Sequence, residues 1–181
     1  MNKKYAKRVM DASKKSKIIL LLFAVGFAAI GAYLILQTSA APKPRSEAAV
    51  TLYVSPGSQQ VSVGQTLQLA IKLNTNNQDV NAIQADLSYP ADKFEFVKID
   101  GANSLFNIDA SSTGGNGTIS IARGNLTSVN STDALIATVH LKALSSGRRA
   151  SVSFNDSSAI LRASDNTNIL AKKISGQYTI K

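Results

Sequence analysis

The chain has no cysteine, no tryptophan and a single histidine. Without cysteine there is no disulfide, no thiolate nucleophile and no Cys-ligated zinc. One histidine, His140, excludes a two-histidine metal site built by one chain. Aromatic residues make up 6% of the sequence, little material for a stacking platform. At 181 residues the chain is also too short for a barrel enzyme of about 250 residues.

Positive charge is plentiful, with a net charge of +9, but it is unevenly placed. Residues 1–17 hold seven Lys and Arg against Asp11 alone. Lys43 and Arg45 stand against Glu47, and from residue 48 onward 11 basic residues face 9 acidic ones. A nucleic-acid-binding domain concentrates its excess on the folded face. Here the excess sits in a tail, so no nucleic-acid partner is expected.

The tail precedes a 19-residue run without charge, Ile18 to Leu36. A helix of that length rises about 1.5 Å per residue and nearly spans a hydrocarbon core of about 30 Å. The run is apolar on every face, which argues against a core helix. Its length favours an uncleaved signal anchor over a cleaved signal peptide, whose apolar region is about 7–15 residues. Thr38-Ser39-Ala40 keeps a cleaved, secreted form open as the alternative. A pilin would want Gly-Phe before the run and a Glu inside it; Gly26-Phe27 lies mid-run and no Glu is present. Basic residues before the span predict a cytoplasmic N-terminus and an extracytoplasmic C-terminal part. Residues 37–49, with Pro42 and Pro44, read as an extended linker.

From Val50 the hydrophobic period changes to two. Leu67, Leu69, Ile71 and Leu73 alternate with smaller or polar residues, as do Val50, Leu52 and Val54, then Ile83, Ala85 and Leu87. Phe94 and Phe96, Ile119 and Ile121, Val152 and Phe154, and Tyr178 and Ile180 repeat the pattern. The phase slips at Phe96-Val97-Lys98-Ile99, which predicts a bulge or a strand end. Turn residues separate the runs: Ser55-Pro56-Gly57, Asn74-Thr75-Asn76-Asn77, Gly114-Gly115-Asn116-Gly117 and Ser145-Ser146-Gly147. The reading is an antiparallel β-sandwich over residues 50–181, about eight or nine strands around one core. Asp133–Leu144 could be a helix capped by Asp133. The alternation of Leu135, Ala137, Val139 and Leu141 favours a strand, with Ile136, Thr138, His140 and Lys142 outward.

Chemistry is sparse in this domain. On the strand reading His140 points outward with no evident nucleophile, and no G-x-S-x-G occurs. No pair of the nine domain carboxylates stands out for glycoside chemistry, and most lie beside turns. Asp165-Asn166-Thr167-Asn168 resembles the start of a calcium loop but lacks its Gly and late Glu, so a plain turn is expected. Four Asn-x-Ser/Thr triplets, at Asn116, Asn125, Asn130 and Asn155, are unremarkable in a chain rich in these residues. No enzyme, metal or cofactor is expected. Surface recognition remains, and the exposed faces carry Ser, Thr, Asn and Gln.

The domain resembles the cohesin family over nearly all of residues 50–181. The resemblance rests on Val61–Thr66 leading into Leu67–Leu73, on Val80–Tyr89, on Lys93–Val97, on Gly117–Ala122 and on Leu135–Ala143, in that order and spacing. It implies a nine-stranded jelly roll, in the same superfamily as some carbohydrate-binding modules. It also implies a non-catalytic module that binds dockerins through one sheet face. The sequence departs from the family at Tyr89-Pro90-Ala91-Asp92, where cohesins have Tyr-Asp-Pro. Ala82 and Gln84 stand where cohesins often present Asn and Asp. Outward residues on the comparable strands are Gln84, Asp86, Ser88, Thr118, Ser120 and Ala122, the expected partner-binding face. The partner is then a dockerin-like protein module bound in trans; the alternative is a polysaccharide.

Overall fold

The computed structural model describes residues 49–181. The basic tail, the apolar span and the linker before Ala49 lie outside the described residues. The rest forms twelve strands and, among the described residues, no helix. They are β1 (Val50–Ser55), β2 (Ser58–Val61), β3 (Thr66–Asn74), β4 (Val80–Ser88), β5 (Phe94–Asp100), β6 (Ile108–Gly115), β7 (Thr118–Val129), β8 (Ala134–Ala143), β9 (Gly147–Phe154), β10 (Ala159–Arg162), β11 (Leu170–Ile174) and β12 (Gly176–Ile180).

The strands make two sheets. One has the order β11-β1-β3-β8-β5; the other runs β2-β12-β9-β4-β7-β6, with β10 also pairing with β4. The expected nine strands are therefore twelve. Short pieces such as β2 and β10, four residues each, carry too few positions to show a period. The pairing is not wholly antiparallel either: β1–β11 and β2–β12 are parallel.

Period-two alternation produces the core. On β3 the residues Leu67, Leu69, Ile71 and Leu73 are buried; on β4, Ile83, Ala85 and Leu87 are buried while Gln84, Asp86 and Ser88 are not. Each fully buried Leu or Ile removes enough apolar surface to contribute about 1.5–3 kcal/mol. Asp133–Leu144 contains a strand, as expected, but its phase changes midway. Ile136 was expected outward and is fully buried, whereas Leu135 is only half-buried. The cause is a bulge: Ile71 pairs with Ala137 and Lys72 with Leu135, so Ile136 has no partner on β3. The slip at Val97 is also a bulge, lying between the Phe96–Leu141 and Lys98–His140 pairs. Asn116 and Gly117, with φ of 51° and 83°, form the two-residue turn between β6 and β7, which suits an Asn-Gly pair.

Tyr178 ties the two sheets together. Its ring stands edge-on to Phe94 of the opposite sheet, with centroids 6.4 Å apart at 83°. Such a pair adds about 1 kcal/mol beyond the buried area. Its hydroxyl donates to the Pro56 carbonyl at 2.8 Å, so no polar atom is stranded. The ring reaches this position by lying over Gly176, two residues earlier on the same face. A Cβ there would overlap the phenol oxygen and stand 2.6 Å from Cζ. Gly176→Ala should therefore overpack the core and cost about 2 kcal/mol. The expected signature is a lower urea midpoint with an unchanged slope.

Candidate functional site

Strand β4 lies inside its sheet, bordered by β7 on one edge and by β9 and β10 on the other. Its inward residues fix which side chains face out. The β4–β7 register sets Gln84 opposite Ala122, Asp86 opposite Ser120 and Ser88 opposite Thr118. The six residues expected on one face thus form three cross-strand pairs. Thr118 is exposed and the other five are half-buried.

Asp86 is the centre of this face. Its Oδ1 accepts from Gln84 Nε2 at 2.6 Å and from Ser120 Oγ at 2.7 Å. Gln84 Nε2 also donates to Ser120 Oγ at 3.0 Å, closing a three-residue ring. Partial burial pushes the Asp86 carboxyl upward. Hydrogen bonds from Ser120, Ser157 and Gln84 outweigh this and hold it below the ordinary carboxylate range. The group is a fixed anion at neutral pH. Ser88 Oγ donates to Asn155 Oδ1 at 2.6 Å, while Thr118 Oγ1 turns back to the Gly115 carbonyl.

Sequence reasoning missed the groups that support Asp86 from the other edge. Between β9 and β10 the chain leaves the sheet at Asn155–Ser158, opening a gap beside Asp86. The buried Ser158 hydroxyl fills it, accepting from the Asp86 N–H and donating to its carbonyl, both at 3.1 Å. Asn155 N–H donates to the same carbonyl at 2.7 Å. The triplet Asn155-Asp156-Ser157 was visible only as a glycosylation pattern, and nothing local ties it to β4.

Aromatic side chains do not build this face. Tyr89, Phe154 and Tyr178 are buried, and Tyr53 lies on the other sheet, hydrogen-bonded to Asp133. Burial, then Asp133, pushes the Tyr53 phenol up to about 12. Asp133 also pairs with Lys72 at 2.9 Å. His140 is half-buried rather than exposed, paired in register with Gln68 and Lys98.

The Asp165–Asn168 segment is a turn whose side chains serve the backbone. Asp165 Oδ1 accepts from Thr167 N–H at 3.0 Å, and Asn168 Oδ1 accepts from Ile160 and Leu170 N–H at 3.1 Å. Among the described residues no three His, Asp or Glu side chains cluster as metal ligands. A hollow of about 440 Å³ is lined by Asn77, Asp79, Ser128 and Arg162. Its Arg162 is engaged by Asp165 and its Asp79 by Asn130, leaving no paired acid and base. What the described residues offer on β4 and β7 is a polar face centred on the Asp86 carboxylate.

The pH dependence follows from Asp86. A carboxyl lowered in the native state contributes stability above its unfolded value of about 3.9 and loses it as pH falls through the native value. Asp86→Asn keeps the shape without the titration. The wild-type advantage in urea midpoint at pH 7 should shrink progressively as pH falls below about 4. An advantage independent of pH would refute the role given to the ionised carboxylate.

Comparison with known proteins agrees with this architecture. A cohesin-domain family model matches residues 52–180. The solution structure of CaCohA2 from Clostridium acetobutylicum superposes with a TM-score of 0.60 at 19% identity, covering 75% of this chain and 92% of that one. A type I cohesin from Clostridium thermocellum, in a cohesin–dockerin complex, gives 0.60 at 14% identity, covering 74% and 94%. A non-cellulosomal cohesin from the archaeon Archaeoglobus fulgidus gives 0.56 at 22%, covering 74% and 92%. No curated protein matches the chain.

Proposed function

The chain belongs to the cohesin domain family, and from that premise we propose that it is a recognition module docking a dockerin-like protein in trans through the β4–β7 face. Cohesin domains are protein-interaction modules, and solved relatives are held in complexes with dockerins. The observation that carries the reading is the Gln84–Asp86–Ser120 ring at the centre of an outward polar face of β4 and β7. Side chains already held by hydrogen bonds lose little freedom on binding, which lowers the cost of association. Small outward residues let a partner backbone approach closely. The Asp86 carboxylate gives it one fixed anion to match with a cation or a donor. The missing aromatics weigh against a polysaccharide ligand, because sugar faces commonly rely on ring stacking.

The expected setting is a single-pass anchor, Ile18–Leu36, with the N-terminus in the cytoplasm and residues 50–181 outside. The 19-residue length of that span and the basic block before it support this reading. Protease added to intact cells should remove the domain and leave a membrane-bound N-terminal fragment. A domain spared by protease would place it on the other side.

Docking is tested by titration calorimetry of the full-length protein with a type I clostridial dockerin module. Gln84→Arg combined with Ser120→Arg inserts two long side chains into the ring. It should weaken binding by about 100-fold or more, since a mismatched interface centre costs several kcal/mol. Unchanged affinity in a folded double variant rejects this face. Retention on a glycan array without dockerin binding would favour the polysaccharide reading.

A further inference from the structure

Six non-glycine residues among those described have positive φ, and five of them are asparagine: Asn76, Asn77, Asn103, Asn116 and Asn166. The sixth is Arg149, at φ 59°. Asparagine tolerates the left-handed region because its short amide bonds locally; a long side chain gains nothing comparable there. The other positive-φ positions among the described residues hold asparagine or glycine (Gly64, Gly115 and Gly117), and Arg149 alone carries a long side chain there. Strain kept where a cheaper residue would serve points to a role for the side chain.

The surroundings suggest that role. Tyr178 pairs with Ala150 and Ile180 with Gly147, so Arg148 and Arg149 together oppose Thr179 in a bulge. Both arginines are exposed, and neither forms an ion pair among the described residues. Lys181 follows Ile180 and adds a third exposed cation at the same corner. Two half-exposed apolar residues, Val63 and Leu144, neighbour this corner along the backbone. Val63 N–H donates to the Lys181 carbonyl at 2.9 Å, and Gly64 N–H reaches Ala143, the neighbour of Leu144.

We propose that the Arg148–Arg149 bulge is a second docking corner that receives an acidic, partly apolar segment of a protein partner. Paired guanidinium groups match carboxylates bidentately. Val63 and Leu144 give the apolar part of such a segment something to cover, which a bare polyanion does not use. The corner lies on β9, beside β4, yet it requires no contact at Gln84 or Asp86 and goes beyond the docking reading above.

The probe is a glutamate–tyrosine copolymer, measured by fluorescence anisotropy with the full-length protein at low ionic strength. Arg149→Gly should weaken binding by about fivefold. Lys172→Ser, which removes the same charge from an exposed position on β11, should leave it unchanged and so controls for the loss of one positive charge. Polygalacturonate of equal charge should bind more weakly than the copolymer. Arg149→Gly should also raise Tm by about 3 °C, because the left-handed strain is relieved. Equal binding by Arg149→Gly and Lys172→Ser overturns the proposal. So does equal affinity for polygalacturonate, which would assign the corner to an acidic polysaccharide. A fall in Tm for Arg149→Gly would make Arg149 a structural residue and overturn it as well.

Discussion

Burial of Ile83, Ala85 and Leu87 against the opposing sheet is what holds Gln84, Asp86 and Ser88 in a row on the other side. A strand has two faces and a strict period, so fixing one fixes the other. A slip of one residue would bury Asp86 and expose Leu87. The apolar core thereby enforces the position of a polar site that it never touches. Tyr178 reinforces the same arrangement by bracing β12 against the opposite sheet through Phe94. The gap between β9 and β10 is tolerated because the Ser158 hydroxyl meets both backbone groups of Asp86.

The two faces of β4 differ in how much of them could be read in advance. The inward one was fully legible, since apolar residues at alternate positions have a single explanation in a chain with this turn density. The six outward residues followed by parity, and the register places them in pairs. The hydrogen-bond ring was not legible. It needs the β4–β7 register, which local sequence does not specify. Asn155 and Ser158 were hidden for the same reason, about seventy residues away from β4 and brought beside it only by the sheet order.

Phase errors had a physical cause as well. Leu135, Ala137, Val139 and Leu141 alternate in the sequence, but the apolar Ile136 between them breaks the polar phase, and the bulge there shifts the first part by one residue. Arg123 sits across that end of the core. It is buried, its Nη1 donates to the Ile136 carbonyl at 3.2 Å, and Gly101 leaves it room. Asp109, half-exposed on β6, approaches it at 3.6 Å. An inward arginine in an alternating strand is a visible anomaly, and it marks the place where the regular ladder breaks. Positive φ at Arg149 is a similar irregularity, but one that sequence alone conceals, because arginine carries no conformational signature.

The placement of β1 has a mechanical consequence. It is laddered on both edges, antiparallel to β3 and parallel to β11, and it begins directly after Ala49. Inter-strand hydrogen bonds run across the strand direction. A pull along β1 from its N-terminal end therefore loads both ladders at once in shear, instead of unzipping them one bond at a time. Tension applied at that point meets the stiffest direction of the sheet.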